Sequence, residues 1–513
     1  MKNQSNRSGV GIDDMVAYIP KLFLPIEDLA QARNIEFAKL NKGLGLSAMS
    51  CPDANEDAAT MAANAVRQLI EQNNIHPRQI GRIYVGTESA MDGSKPTASY
   101  VLEMLSRYFE PQYGSACFLH CDVVDLTFAC IGAVDALQNT MDWVSAGPDR
   151  LGIVVGTDVA KYDLASTGEY TQGAGAVALL VKQEPRLIAF GSNWGIASKG
   201  EHDFFKPKRK IRKEEIIDEV FSMAGIKSIT ALELLSRLNG HLEGKGIISM
   251  PDAEVYLHKD TPVFNGPYSN ECYQNRIREA LRHYAEQAGL PETEALTDNW
   301  FRLIFHLPYA FQARRMFSEI FVEEAKVRGD FHQLIEEAGQ TEPGADDYEE
   351  EGTYQKAMAQ FLRAVTKTSR YRNFVAEKIE KSERASAQVG NLYTASIFLA
   401  LMSTLEADLR DGTMLEGKEF GFFAYGSGSK SKVFAGHIQE GWKAIVSRFR
   451  LMDRLAERKV IDYPTYEKLH RGKLSGPVEE NPERFALHSV REDRDDQEGA
   501  RAYDWLRKVS VEV

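Results

Sequence analysis

The chain has 513 residues, of which 43% are hydrophobic, and a formal net charge of −13. This length is enough for two or more packed units. The acidic balance argues against a nucleic-acid binder held by general phosphate attraction. Positive groups that bind an anionic ligand must therefore be local.

No segment is apolar over the length needed to span a bilayer, and residues 1–8 have no apolar core behind them. We therefore expect neither a membrane segment nor a signal peptide. The odd and scattered cysteines indicate reduced thiols in a cytoplasm. They are Cys51, Cys117, Cys121, Cys130 and Cys272. Cys117 and Cys121 resemble half of a zinc site, but no second pair follows, which favours two core thiols and no metal.

Helices and strands alternate in the first third of the chain. The pattern predicts a helix over Glu56–Asn73 and β runs at Arg82–Gly86, Gly152–Gly156 and Gly175–Val181. Helices between strands predict crossover units and a buried, largely parallel sheet.

The later part repeats this order of elements. It predicts a strand at Phe301–His306, a helix at Phe311–Val322, a strand at Phe420–Tyr425 and a final strand at Val509–Val513. The third of these ends in a Gly-Ser-Gly sequence that begins at Gly426. The order of elements favours two similar α/β halves.

We place the boundary between the halves near Gln183–Pro185. The N-terminal half is residues 1–183 and the C-terminal half is residues 184–513. An acidic run at Glu342–Glu351, near residues 340–352, is typical of a solvated surface insertion. The charged segment Glu492–Arg501 is similar.

The segment Val123–Ala133 predicts a buried apolar strand that runs directly into a helix, with a cysteine at the junction. From Ile131 onward, apolar residues recur at helical spacing. They are Val134, Leu137, Met141 and Val144. Cys130 would then lie at a helix N-terminus, where unpaired N–H groups and the helix dipole favour a nucleophilic thiolate. The competing interpretation is a buried structural thiol, since free cysteine is often buried.

Three further polar residues each follow a β run, where α/β sheets place their sites. They are Glu88, His306 and Ser427. A cysteine nucleophile, a carboxylate base, a histidine acid and backbone N–H donors are the groups needed for acyl transfer and carbanion chemistry. Taken singly, Glu88 could cap a helix, His306 could be a satisfied buried histidine, and Ser427 could belong to a turn.

The ordered set of these segments closely resembles the 3-hydroxy-3-methylglutaryl-CoA synthases, from about Gly11 to Gly436. The matching segments are Ile80–Glu88, Ala129–Cys130, Thr171–Val177, Tyr268–Tyr273, Phe305–Tyr309, Gly390–Thr394 and Tyr425–Gly428. The resemblance implies an α/β, thiolase-type fold, with two duplicated α/β halves in a layered α-β-α-β-α arrangement. It also implies a homodimer.

The resemblance implies a role for each reactive residue. Cys130 accepts an acetyl group from acetyl-CoA, and Glu88 removes a proton from the acetyl methyl group. His306 polarises and protonates the ketone of acetoacetyl-CoA, after which hydrolysis frees the product. The N-terminal half thus carries base and nucleophile, and the C-terminal half carries the histidine. No metal or redox cofactor is required.

The resemblance also implies the groups that bind the substrates. The backbone N–H groups of Cys130 and Ser427 are the expected oxyanion donors. The remaining substrate-binding residues are Thr167, Thr171, Ser269, Arg315, Asn391 and Tyr393.

The sequence departs from the family at several of these places. Phe128 replaces a polar or charged residue, and Ile131 replaces an aromatic residue. Thr167 stands where asparagine is frequent, and Phe311 where lysine is common. Arg315 keeps a cation at a second position, so the departures affect CoA contacts and leave the three reactive residues in place.

Four functions are compatible with these residue types. The first is a cytoplasmic mevalonate-pathway synthase acting on two acyl-CoA substrates, with no nucleic-acid or membrane partner. The second is a relative that adds an acetyl unit to a β-ketoacyl chain on an acyl carrier protein. A non-catalytic scaffold is disfavoured because all three reactive residues are present. A Cys–His hydrolase leaves the other motifs unexplained.

Overall fold

The computed structural model describes residues 9–238, 254–291, 294–493 and 496–507. The strands in these ranges are β1 (Val10–Tyr18), β2 (Leu22–Pro25), β3 (Ala48–Cys51), β4 (Ile80–Gly86), β5 (Asp122–Leu126), β6 (Leu151–Ala160), β7 (Gly173–Gln183), β8 (Ile188–Ser198), β9 (Phe204–Phe205), β10 (Arg209–Arg212), β11 (Glu254–Leu257), β12 (Val263–Phe264), β13 (Arg302–Phe305), β14 (Glu419–Gly426), β15 (Lys430–Ile438), β16 (Lys459–Val460), β17 (Arg484–Val490) and β18 (Arg501–Leu506).

The helices in the same ranges are α1 (Ile26–Ala32), α2 (Phe37–Leu44), α3 (Ala58–Gln72), α4 (Thr97–Tyr113), α5 (Gly132–Ser145), α6 (Lys213–Ala224), α7 (Ala231–Leu238), α8 (Gly266–Ala288), α9 (Leu296–Asn299), α10 (Gln312–Met316), α11 (Ser318–Arg328), α12 (Phe331–Ala338), α13 (Glu351–Val365), α14 (Ser369–Lys378), α15 (Glu380–Val389), α16 (Ser396–Arg410), α17 (Trp442–Val446), α18 (Leu451–Ala456) and α19 (Tyr463–His470). None of these helices is long and apolar enough to cross a membrane.

One nine-stranded sheet, in the order β13-β14-β15-β8-β1-β7-β6-β4-β5, organises the described part of the chain. Pairing is parallel between β4 and β5, β4 and β6, and β13 and β14. The other neighbours in this sheet pair antiparallel. The prediction of a largely parallel sheet is therefore wrong. Crossover helices α4 and α5 keep β4, β5 and β6 parallel, whereas loops join β6 to β7 and β7 to β8 and reverse the chain.

The centre of the sheet is buried on both faces, which explains its continuous apolar runs. Side chains alternate along β6. Ile153 and Val155 pack in the core that contains α3, whereas Val154 packs in the core that contains α5. Helix α16 shares this second core, and its residues 396–408 are all buried. A helix that is buried on every side is an interior layer of the fold.

Strand β5 is less buried than its sequence predicts. It lies at the edge of the nine-stranded sheet, and Val124 is 38% exposed. The predicted run at Val123–Leu126 is thus a strand, but not a buried one. Its partner β4 covers only one side, and the other side has no neighbouring strand in the described residues.

The helix predicted over Phe311–Val322 is two helices, α10 and α11, which meet at Phe317. No capping side chain marks this break, so the sequence pattern carried no signal for it. The predicted strand at Val509–Val513 lies outside the described residues, as do residues 1–8.

Candidate active site

Cys130 lies in the turn between β5 and α5, directly before the helix, as predicted. Ala129 has a φ of 40°, a left-handed conformation that is rare for a residue with a side chain. The Ile131 N–H donates to the Phe128 oxygen across this turn at 3.1 Å. Backbone strain of this kind collects at functional sites, where the surrounding structure enforces it.

Glu88 reaches Cys130 from the neighbouring strand. Gly86 of β4 and Leu126 of β5 are parallel partners, so both chains leave the sheet at the same edge. The Cys130 Sγ lies 3.1 Å from Glu88 Oε1. Glu88 caps no helix: α4 begins at Thr97, where Asp125 accepts the first N–H groups.

The pKa of Cys130 is not lowered, which corrects the expectation of a thiolate. Burial raises the pKa of the Cys130 thiol well above its usual range, and the Glu88 carboxylate raises it further. Both effects disfavour a second negative charge in the site, and they outweigh the helix dipole. Cys130 is therefore a thiol that donates its hydrogen to Glu88.

Burial raises the pKa of Glu88 to about 7, while the charge of Lys206 acts to lower it and that of Asp158 to raise it. A carboxylate with this pKa can take up and release a proton near neutral pH. Glu88 can therefore activate the thiol by accepting its proton.

Asp158 of β6 orders the backbone around Glu88. Its side chain is fully buried and accepts the Glu88 N–H at 2.7 Å. It also accepts the hydroxyl groups of Thr87, Ser89 and Thr394 at 3.1, 3.0 and 2.6 Å. The sequence analysis missed Asp158, although a carboxylate within the apolar run of β6 was a usable signal.

Lys206 supplies a positive charge to the same site. Its Nζ donates to the Glu88 backbone oxygen at 3.2 Å and lies 5.1 Å from the centre of the Tyr393 ring. Its charge acts to lower the pKa of both Glu88 and Cys130. Lys206 follows the short strand β9, and no sequence pattern linked it to Cys130.

Tyr393 and Tyr162 form a buried cluster with Cys130. The Tyr393 hydroxyl has no hydrogen-bond partner among the described residues. Burial raises the pKa of both tyrosines, so they remain neutral hydroxyl groups. Tyr393 was predicted as a binding residue, whereas Tyr162 was missed.

Asn391 and Thr171 support Tyr393 from behind. Asn391 Oδ1 accepts the Tyr393 N–H at 2.8 Å, and the Asn391 N–H donates to the Thr171 oxygen at 2.9 Å. The Thr171 hydroxyl donates to the Gly168 oxygen at 2.8 Å. Thr167 lies in the exposed turn before Gly168. Substrate binding by these residues stays a prediction.

His306 follows β13, next to the strand β14 that leads to Ser427. Its N–H donates to the Phe423 oxygen at 3.0 Å, and its oxygen accepts the Tyr273 hydroxyl at 3.0 Å. The side chain is 2% exposed, and Nδ1 has no partner in the described residues. Burial lowers the pKa of His306 to about 3, so the ring is neutral at pH 7 and donates one N–H. This arrangement differs from a satisfied structural histidine.

Asp203 orders the glycine loop of residues 426–428. It accepts the Tyr425 hydroxyl and the Gly428 N–H, each at 2.8 Å. Ser269 of α8 donates to the same carboxylate at 3.3 Å. The rings of Tyr425 and Tyr273 lie 5.1 Å apart, which connects the glycine loop to the residue that contacts His306.

The glycine loop lies against the cysteine turn. A Cβ on Gly426 would come within 2.6 Å of the Phe128 oxygen and 3.0 Å of the Ile131 nitrogen. Only glycine permits this approach. The structure thus brings together the turn of Cys130, Glu88, Tyr393 and the loop of Ser427, with His306 on the adjoining strand.

Arg315 lies apart from this interior group, on the surface of α10. The Arg315 N–H donates to the Phe311 oxygen, which confirms that the two residues are one helical turn apart. Its Nη1 is 3.5 Å from the Gly43 oxygen, and no carboxylate in the described residues pairs with it. Phe311 packs against Gly45 instead of presenting a charge.

Among the described residues, no group of three or more His, Cys, Asp or Glu side chains is arranged to hold a metal ion. Among the ionisable residues of the site, Cys130 is hydrogen-bonded to Glu88, and the charge of Lys206 acts on both. The ionisable residues together provide a thiol, a carboxylate that titrates near neutral pH, a neutral imidazole and a nearby ammonium group.

Two family profiles and several known proteins match most of the chain. Residues 6–185 match the sequence profile of the hydroxymethylglutaryl-coenzyme A synthase N terminal, and residues 255–471 match that of the C terminal. Hydroxymethylglutaryl-CoA synthase of Haloferax volcanii is 30% identical over 466 residues, which cover 90% of this chain and 91% of that protein.

Solved structures show the same fold. MvaS in complex with 3-hydroxy-3-methylglutaryl coenzyme A is similar with a TM-score of 0.71 and 25% identity, covering 97% of this chain and 99% of that one. The HMG synthase of the curacin biosynthetic pathway, in complex with acetyl donor-ACP, gives a TM-score of 0.67 at 19% identity, covering 97% and 100%. The second likeness concerns the fold alone.

These likenesses and the large mixed sheet define an acyl-transferring condensing enzyme with the thiolase-type fold, which confirms the predicted fold class. The chain belongs to the hydroxymethylglutaryl-CoA synthase family.

The effect of Lys206 on the pKa of Glu88 predicts how the reaction rate changes with pH. Because a base must be deprotonated to act, the rate should rise with pH through a midpoint near 7, the value to which burial raises the pKa of Glu88. Lys206→Met removes a group that lowers this pKa, so the midpoint should move to higher pH. The measurement is the pH profile of kcat/KM. Lys208→Met is the control, because Lys208 is exposed. An unchanged midpoint in Lys206→Met would show that Lys206 does not act on Glu88.

Proposed function

We propose that the chain condenses acetyl-CoA with acetoacetyl-CoA, through an acetyl-Cys130 intermediate, to give 3-hydroxy-3-methylglutaryl-CoA. The observation that carries this proposal is the 3.1 Å hydrogen bond from the Cys130 thiol to the Glu88 carboxylate. It pairs a nucleophile with a base whose pKa burial raises to about 7. The names of the relatives supply the substrates.

The first half of the proposed reaction is acyl transfer. Glu88 accepts the proton of Cys130, and the sulfur attacks the carbonyl carbon of acetyl-CoA. The oxyanion that forms is bound by the backbone N–H groups of Cys130 and Ser427. The intermediate collapses to the acetyl thioester, and CoA leaves as its thiol with the proton from Glu88.

The second half is carbon–carbon bond formation. Glu88 removes a proton from the acetyl methyl group, and the resulting enolate attacks the ketone carbon of acetoacetyl-CoA. Neutral His306 stabilises the developing alkoxide with a hydrogen bond from its ring N–H. The proton that Glu88 removed from the methyl group passes to that oxygen, which gives the hydroxyl group and restores the Glu88 carboxylate. Water then cleaves the thioester, which releases the product with a free carboxylate and restores the Cys130 thiol. These steps are proton transfers and additions, so we propose that no metal or redox cofactor takes part.

We propose that the substrate chain lies along Thr171, Ser269, Asn391 and Tyr393, with Thr167 nearer the surface and Arg315 at the CoA phosphates. Arg315 suits the last role because it is exposed and, in the part of the chain that the structure describes, unpaired with a carboxylate. A guanidinium binds phosphate oxygens in a bidentate manner.

A second candidate is the synthase that adds an acetyl-derived branch to a β-ketoacyl chain on an acyl carrier protein. The structural likeness to the curacin-pathway enzyme in complex with donor-ACP keeps this alternative open. Under it, exposed Arg315 would contact the carrier protein instead of CoA. The 30% identity to the Haloferax volcanii enzyme favours the first candidate. We propose that the chain acts in the mevalonate route to isoprenoids.

We propose a homodimer that forms through β5. An edge strand presents unpaired N–H and C=O groups that a second copy can use. The exposed Val124 on β5 and Leu119 just before it, 38% and 71% exposed, provide apolar surface at this edge. The five free cysteines support a reducing cytoplasm as the location.

Single variants of Cys130 and Glu88 should affect different steps of the proposed reaction. Cys130→Ala should accept no label from acetyl-CoA. Glu88→Gln should still be acetylated, but more slowly, because the variant loses the acceptor of the thiol proton while loss of the carboxylate charge lowers the thiol pKa. Condensation should fall further, by roughly 10²-fold or more. Radiolabelled acetyl-CoA measures the first step, and the formation of 3-hydroxy-3-methylglutaryl-CoA measures both. Persistent labelling in Cys130→Ala would overturn the nucleophile. Equal losses of acetylation and condensation in Glu88→Gln would remove the separate role of Glu88 in condensation.

Arg315→Ala should raise KM for a CoA substrate by on the order of ten-fold, about 1.4 kcal/mol, with less effect on kcat. Arg315→Lys keeps the charge but not the bidentate geometry. Its KM for the CoA substrate should lie between the values for Arg315→Ala and the unmodified protein. The difference should shrink with added salt, because an exposed charge is screened. Unchanged CoA kinetics, together with lost use of a carrier-bound acceptor, would favour the acyl-carrier-protein function.

The dimer through β5 can be tested by sedimentation velocity. Val124→Lys places a positive charge on β5 in both copies of the proposed dimer. Repulsion between these charges should convert dimers to monomers. Val490→Lys is the matched control, because this strand valine is 41% exposed and lies outside the nine-stranded sheet. Equal sedimentation of the Val124 variant and the unmodified protein would place any dimer interface elsewhere.

A further inference from the structure

Two turns must keep a fixed spacing if the proposed oxyanion site is to work. The N–H of Cys130 belongs to one turn, and the N–H of Ser427 belongs to the glycine loop. The inference below rests on the proposed function, since it concerns how these two donors are aligned. Backbone contact at Gly426 brings the turns together, but a contact alone does not prevent sliding.

The ring of Phe128 lies between the two turns. Phe128 is the second residue before Cys130, at the position where the family resemblance predicts a polar or charged residue. The Lys430 Nζ lies 4.0 Å from the centre of this ring. On the glycine loop, a Cβ at Gly428 would be 3.8 Å from Phe128 Cε1, which is ordinary van der Waals distance. A cation at this distance is attracted to the negative face of the aromatic ring, and more strongly where both are partly buried.

Lys430 also holds the other side of the cysteine turn. Its Nζ lies 2.5 Å from Asp135 Oδ2, in the first turn of α5. Side chains of Lys430 and Asp135 are only 15% and 12% exposed, so the pair is little screened by solvent. One ammonium group from the start of β15 therefore contacts residues on both sides of Cys130 in the chain.

We propose that Phe128 and Lys430 are positioning residues that fix the cysteine turn against the glycine loop and so align the N–H groups of Cys130 and Ser427. Neither side chain is required to touch the substrate. Phe128 provides an aromatic ring at a position where the family resemblance predicts a polar or charged residue. Lys430 makes a cation–π contact with this ring.

The neighbouring Lys432 offers a matched control. Its Nζ contacts the same carboxylate, at 2.7 Å from Asp135 Oδ1, and it also donates to Gln138. Among the described residues, the aromatic ring near Lys432 Nζ is that of Trp194, 5.8 Å away, whereas Lys430 lies over Phe128. Lys432→Met thus removes a lysine from Asp135 and leaves the Phe128 contact in place.

The experiment compares two reactions of the same thiol in each variant. Acylation by labelled acetyl-CoA forms an oxyanion, whereas alkylation by iodoacetamide does not. In Lys430→Met and Phe128→Leu, acylation should fall by about ten-fold or more, as expected for misplaced oxyanion donors, while alkylation stays unchanged. Lys430→Arg and Phe128→Tyr should restore acylation, and kcat should change more than KM. Lys432→Met should keep acylation.

Each other result overturns a definite statement. Equal losses of acylation and alkylation would mean that Lys430 only supports the fold of the turn, and undiminished acylation would remove its positioning role. Failure of the unmodified protein to accept acetyl from acetyl-CoA would overturn the proposed function itself. If Lys430→Met does not fold, the comparison of Phe128→Leu with Phe128→Tyr tests the same contact without removing a charge.

Discussion

The candidate active site depends on a thiol and a carboxylate that are buried side by side. Burial raises the pKa of both Cys130 and Glu88. The Glu88 carboxylate raises the pKa of Cys130 further, whereas the hydrogen bond from the thiol lowers the pKa of Glu88. The result is a single proton held between sulfur and oxygen at 3.1 Å. Because burial brings the pKa of Glu88 to about 7, this carboxylate can accept the thiol proton although the pKa of the thiol itself is raised. The same carboxylate can then serve both halves of the proposed reaction.

Two buried aspartates maintain this pair by ordering backbone around it. Asp158 collects the Glu88 N–H and neighbouring hydroxyl groups, and Asp203 collects the Gly428 N–H and the Tyr425 hydroxyl. A buried carboxylate is costly unless several donors satisfy it. That cost also works in favour of one geometry, because movement of either loop would leave a charge without its donors. The site is therefore rigid where its chemistry needs alignment.

Sequence reasoning placed Glu88, Cys130 and His306 just after β runs, and the structure has them there because this placement depends on local pattern. Their roles came from the family resemblance and stay a prediction. Sequence reasoning failed for the direction of strands, since β7, β8 and β15 are reversed by loops that carry no periodic signal. It also failed for the pKa of Cys130, because the outcome depends on the distance to Glu88 and on burial. Lys206 and Tyr162 were missed for the same reason: loops far along the chain bring them to the thiol.

The net charge of −13 says little about the site, because the cations near it differ in what neutralises them. The charge of Lys430 is neutralised by its ion pair with Asp135. In the proposal above, Lys430 therefore acts by holding neighbouring residues in place. Lys206 donates to a backbone carbonyl, and its positive charge therefore still acts on the groups around the thiol. Arg315 contacts only a backbone oxygen and an aromatic face among the described residues, which leaves its charge available at the surface. Their partners therefore suit the three cations to different tasks. Lys430 would position the cysteine turn, Lys206 would adjust the pKa of Glu88, and Arg315 could bind an anion.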